Sequence, residues 1–92
     1  MSTTEPDALP CWIYRSNRKN EMYLYLHEEG DFERVPEALM RLFGTPTLVM
    51  ELRLHPQRAL AREEIGQVMN NLRSQGFHLQ MPPTIKPEIL HS

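Results

Sequence analysis

Apolar positions change their period along the chain, and each change marks an element. Residues 11–14, Cys11 to Tyr14, are aromatic and β-branched, and the polar cluster Ser16–Asn20 separates them from Met22–Leu26. Two such runs around a polar turn predict a β-hairpin. In its second strand Met22, Leu24 and Leu26 share one face while Tyr23 and Tyr25 share the other, because strand side chains alternate. The first set predicts a core face. The tyrosine face is expected either beneath a helix, with its hydroxyls reaching outward, or partly exposed.

Residues 27–31 break this pattern at Gly30, and a helix is predicted next, with Pro36 in its first turn, where an amide N–H is not required. Val35, Ala38, Leu39 and Leu42 recur at spacings of three and four, Gly44 suits a left-handed C-cap, and Pro46 prevents continuation. The clearest strand is Thr47–Leu54, where Leu48, Met50, Leu52 and Leu54 alternate with Thr47, Val49, Glu51 and Arg53. The face with Glu51 and Arg53 is expected to meet water. Ile65, Val68, Met69 and Leu72 follow the helical spacing, predicting a second helix over about residues 62–75, capped by Gly76. Phe77, Leu79 and Met81 then alternate with His78 and Gln80 in a last short strand ended by Pro82 and Pro83. The order ββαβαβ predicts an α/β domain of the α+β type: one sheet of about four strands, with two helices covering one or both faces.

Composition narrows the function classes. A chain of 92 residues with 40% apolar and 24% charged residues is an ordinary globular domain with room for one core. Its formal charge of −2 creates no global field toward nucleic acid or anionic lipid. Cys11 is the only cysteine, which excludes an internal disulfide and fits a reducing, cytoplasmic setting. Residues 1–10 lack the basic start and apolar run of a secretory signal and read as a flexible leader; residues 11–83 form the domain, and 84–92 a tail. No apolar stretch approaches the ~20 residues needed to cross a bilayer.

Several strings occur together in order: CWIYRS at 11–16, MYLYL at 22–26, FERVPEALM at 32–40, FGTP at 43–46 and GFHLQMPP at 76–83. In this combination the chain resembles the YcgL family over residues 11–83. The resemblance implies a small bacterial α/β domain whose activity is not established. In some genomes genes of that family lie near one for ribonuclease D, an association that brings RNA in as a candidate partner.

The basic hairpin turn is the first candidate site, with Arg15, Arg18 and Lys19 beside Tyr14, Tyr23 and Tyr25. Cations fix phosphates and aromatic rings stack on bases, so the set suits single-stranded RNA or a nucleotide. The bland alternative is a solvated turn over a packed aromatic face, and it is favoured by the ordinary net charge. His27, His55, His78 and His91 lie in four separate elements without a metal-ligand spacing, so no metal is expected and they read as surface or strand-end residues. Cys11 sits in an apolar strand and reads as an inert thiol. Glu28, Glu29 and Asp31, and the pair Glu63 and Glu64, lie where turns and helix starts favour acids anyway. Met40, Met50, Met69 and Met81 are expected in the core, with Met22 and Met40 the two able to edge a partner groove. Pro82, Pro83, Ile85 and Pro87 form a candidate contact segment. The chain is therefore read as a binding module contacting protein or RNA, without cofactor or membrane. The alternative is a small hydrolase or nuclease-like enzyme using Tyr14, Arg15 and an acid from the 28–31 turn.

Overall fold

Four strands and two helices form in the expected order in the computed structural model, which describes residues 8–57 and 63–82. Strand β1 (Leu9–Arg15) lies between β2 (Tyr23–Leu26) and β3 (Thr47–Leu54), and β4 (Phe77–Gln80) pairs with the other side of β2. The order is β3-β1-β2-β4 and every pairing is antiparallel. A 3-10 turn at Phe32–Arg34 leads into α1 (Glu37–Phe43), and α2 is Ile65–Gln75. No helix among the described residues is long and apolar enough to cross a membrane.

The helices lie on opposite faces of the sheet, giving three layers. Under α2, Val68, Met69 and Leu72 pack against Leu9, Cys11, Ile13, Tyr25 and Leu54. The predicted apolar stripe of this helix is the buried one. On the other face Tyr14, Met22, Leu24 and Leu26 pack with Val35 and Phe43, and Leu39, Met40, Phe77 and Leu79 close the cluster. Fully burying a side chain such as Phe43 contributes about 2 kcal/mol.

The helix ends follow from local chemistry. Pro36 caps α1, whose acidic Glu37 and basic Arg41 stand at the ends that suit their charge. Because α1 begins only at Glu37, its inward side carries Leu39, Met40 and Phe43. Ala38 and Leu42, expected inside from their spacing with Val35, are exposed. Gly44 has the positive φ of 84° expected of a cap, but its ψ of −150° sends the chain into extended structure and not into the left-handed helical region. Glu64 caps α2, its Oε1 accepting from the Gln67 N–H at 2.7 Å, and Gly76 closes it with φ 88° and ψ −6°.

The largest departure from the simple alternating pattern is in β3. Ile13 lies opposite Met50 but Tyr14 lies opposite Leu48, so Val49 is an extra residue in the ladder, a β-bulge. Leu48, Val49 and Met50 are 44%, 45% and 50% exposed, and only Leu54 of this strand is buried. Leu48 and Met50 were expected in the core; the bulge and the position of β3 at the sheet's edge take them out of it. Met81 is likewise exposed, beyond the end of β4, whereas Met22 is fully buried and edges no groove.

Candidate functional site

The β1–β2 turn is fastened to the end of α1. The Ser16 hydroxyl donates to the Phe43 carbonyl at 2.6 Å and accepts from the N–H groups of Arg18 and Lys19, both at 3.0 Å. The Arg18 guanidinium donates to the Arg41 carbonyl at 2.9 Å, and Asn17 Oδ1 accepts from the Thr45 N–H at 2.8 Å. The final carbonyls of a helix lack partners within it, so Ser16 and Arg18 act as a C-terminal cap supplied by a distant turn. Gly44 is required where they meet, because an added Cβ would strike Asn17 Oδ1 and the Arg18 stem. Of the three basic residues in this candidate site, Arg18 has a structural partner, while Arg15 and Lys19 present exposed side chains.

The three tyrosines do not come together. Tyr14 is on the α1 face, buried, edge-on to Phe32 at 4.8 Å, and its hydroxyl accepts from the Gly30 N–H at 2.9 Å. Tyr25 is under α2, where its hydroxyl donates to Gln80 Oε1 at 2.7 Å. Tyr23 shares that face and is half-buried. Base stacking needs an accessible ring face, which Tyr14 and Tyr25 do not offer in this arrangement. Tyr14 does meet the 28–31 turn, but the adjacent Arg15 projects from the opposite face of β1.

A polar network underlies α2. His78, expected at the surface, is 7% exposed. Its Nδ1 lies 2.9 Å from Asn71 Nδ2, and its Nε2 lies 2.6 Å from Glu63 Oε1. The amide nitrogen of Asn71 is a donor only, so Nδ1 accepts and Nε2 carries the hydrogen given to Glu63. The Tyr25 ring meets the imidazole edge-on at 5.4 Å. Both ring nitrogens are engaged, so this histidine is held as a structural group and has no lone pair turned to solvent. Glu63 and Glu64, adjacent in sequence, thus do separate jobs: one pairs with His78 and the other caps α2. Burial pushes the Cys11 thiol up to about 12, which keeps it protonated and unreactive at neutral pH.

Two concavities are lined by described residues. A pocket of about 90 Å³ lies between the β2–α1 connection and the end of α2, lined by His27, Glu28, Asp31, Arg34 and Arg73, among others. Its charges are mixed, and Asp31 already pairs with Arg34 at 3.5 Å. The second is an open groove of about 490 Å³ along Pro10, Trp12, Glu51, Leu52 and Arg53, beside the outer edge of β3. Among the described residues β3 pairs with β1 alone, so no described strand takes up the backbone groups of its outer side. No group of three or more potential metal ligands occurs among the described residues. Sequence reasoning missed the Trp12 groove and the His78–Glu63 pair. The available signal for the first was a long apolar strand with opposite charges two residues apart. His91, Pro83, Ile85 and Pro87 lie outside the described residues.

The YcgL domain family model matches residues 11–83. YcgL domain-containing proteins of Pseudomonas putida strain W619 and Pseudomonas entomophila strain L48 are each 56% identical over 81 residues, covering 88% of this chain and 84% of the relative. One from Pseudomonas aeruginosa strain PAO1 is 51% identical over the same lengths. These names give the domain and no activity.

Proposed function

The chain belongs to the YcgL domain family, and on that footing we propose that it is a cytoplasmic binding module that takes a protein partner along the outer edge of β3. The observation that carries this reading is that edge: an eight-residue strand, paired on one side only among the described residues, bearing exposed Leu48, Val49 and Met50 next to the Trp12 groove. Unpaired strand edges accept a further strand through main-chain hydrogen bonds, and exposed apolar side chains add area that gains from leaving water. An enzyme would need titratable groups converging on a pocket. Here His78 and Glu63 bond each other, Cys11 is buried, and Tyr14 and Arg15 diverge; the small pocket of His27, Glu28, Asp31, Arg34 and Arg73 gathers charges of both signs, with Asp31 already paired to Arg34.

The test is capture from a bacterial lysate with the intact chain as bait, with and without ribonuclease. Val49→Lys places a charge on the edge, while Arg15→Glu combined with Lys19→Glu inverts the basic turn. A captured protein lost with Val49→Lys and indifferent to ribonuclease supports the reading. Capture abolished by ribonuclease, and by the turn variant alone, would transfer the binding role to RNA at Arg15 and Lys19.

A further inference from the structure

The exposed face of β3 carries Glu51 and Arg53, one acid and one base two residues apart, lying beside Trp12 and Pro10 of β1. Edge strands commonly carry charge as a guard against pairing with another copy, since like charges placed opposite each other repel. A pair of opposite charges guards against some registers and favours another. Resting on the reading that this edge is the binding surface, we propose that its partner is a second copy of this chain, joined β3 to β3 in antiparallel fashion about a two-fold axis through Leu52. Glu51 of each copy then faces Arg53 of the other.

Symmetry and the pattern of the strand select this register. A two-fold axis perpendicular to the sheet keeps each face on its own side, and directly opposed residues must project from the same face. The axis therefore passes through a residue and not between two, since the latter would set side chains of the α1 face against those of the α2 face. Centring on Glu51 opposes two carboxylates, and centring on Arg53 opposes two guanidiniums. Centring on Met50 sets Leu52 against Leu48, which the bulge at Val49 has turned to the other face. Centring on Leu48 or Val49 runs the ladder through the bulge itself, and centring on Leu54 leaves little strand to pair. The Leu52 register alone creates two cross-strand ion pairs on one face. On the other it sets Met50 of each copy opposite Leu54; Leu54 is already buried, so the apolar surface covered is that of Met50, half of which the monomer leaves in water. The product is one eight-stranded sheet with the two Trp12 grooves on a shared face.

The register gives a test based on charge reversal. Sedimentation equilibrium of the purified full chain at up to about 0.5 mM should show a reversible dimer. Glu51→Arg and Arg53→Glu each convert two opposite-charge pairs into like-charge pairs and should weaken dimerisation by at least about tenfold. Mixed in equal amounts, the two variants should associate with each other, because one strand then carries two basic side chains at these positions and the strand opposite carries two acidic ones. The doubly substituted chain Glu51→Arg with Arg53→Glu should regain the wild-type dimer. Both sites are exposed, so far-UV circular dichroism should be unchanged; if either variant loses its native spectrum, Glu51→Lys and Arg53→Asp provide the same charges. A wild-type chain that stays monomeric, single variants that dimerise like wild type, or folded single variants that fail to associate on mixing would each overturn the proposal. A monomeric wild type whose β3 edge still captures another protein would reject self-pairing and leave the binding-module reading standing; a dimer lacking the charge dependence would reject the Leu52 register.

Discussion

Ser16 Oγ donates a 2.6 Å hydrogen bond to the carbonyl oxygen of Phe43, tying the β1–β2 turn to the last residue of α1 across 27 positions of sequence. The same oxygen accepts two turn N–H groups, so one hydroxyl closes the turn and caps the helix. Both ends of the contact are buried. Phe43 is the innermost residue of α1, so this bond also seats the helix on its face of the sheet.

Ser16→Ala therefore removes one donor and one shared acceptor at once. It leaves the buried Phe43 carbonyl without its donor, and the expected loss of stability is about 1–3 kcal/mol. Urea denaturation at neutral pH checks this. A change below about 0.5 kcal/mol, the range of ordinary surface substitutions, would mean that the Ser16 bond is not formed in solution.

Gly44→Ala and Gly30→Ala differ in what a new Cβ meets, and Gly44, at ψ −150°, also holds a backbone conformation essentially restricted to glycine. Both glycines have positive φ, at 84° and 75°, but a Cβ at Gly30 meets nothing within 4 Å, whereas one at Gly44 meets Asn17 and Arg18. Gly30→Ala is expected to cost about 1 kcal/mol, and Gly44→Ala at least about twice that. Equal midpoints in a denaturant titration of the two variants would contradict the close approach of the turn to α1.

Glu63 and His78 give a graded series. Glu63→Gln keeps an oxygen able to accept from Nε2, while Glu63→Ala leaves a buried donor without its partner. The alanine variant should lose about 1–2 kcal/mol and the glutamine variant less than half of that. Chemical denaturation of the two, side by side at pH 7, decides the matter; identical stabilities would show that Glu63 does not hold the ring.

Cys11 makes stability depend on pH in the alkaline range. Burial raises the thiol from 9.0 to about 12, so the unfolded chain loses this proton first. The stabilising contribution is fully present below about pH 9 and declines as pH rises toward 12, by up to ~1.4 kcal/mol per pH unit. Cys11→Ala removes that slope while leaving the titrations of tyrosine and lysine in place. The difference in stability between wild type and variant, followed from pH 8 to pH 10.5, should narrow as pH rises. A constant difference would place the thiol in contact with water.

Local pattern alone determined the order of elements, the stripe Ile65, Val68, Met69 and Leu72 that α2 turns to the sheet, the cap at Gly76 and the burial of Cys11. Each depends on residues within a few positions of one another, where helical or strand periodicity ties sequence directly to facing. Tertiary structure decided what lies over each face. The alternation in Met22–Leu26 says that the tyrosines oppose the leucines, but it does not say that α2 covers Tyr25 while α1 covers Leu24. His78 reads as a polar strand residue until α2 brings Asn71, and the segment before it brings Glu63, to its two nitrogens. Leu48 and Met50 fit a core pattern, yet the bulge at Val49 and the place of β3 at the sheet's edge leave them in water. A period of two records which side chains share a side; strand order and helix placement are set by contacts between distant segments, and these decide which side is covered.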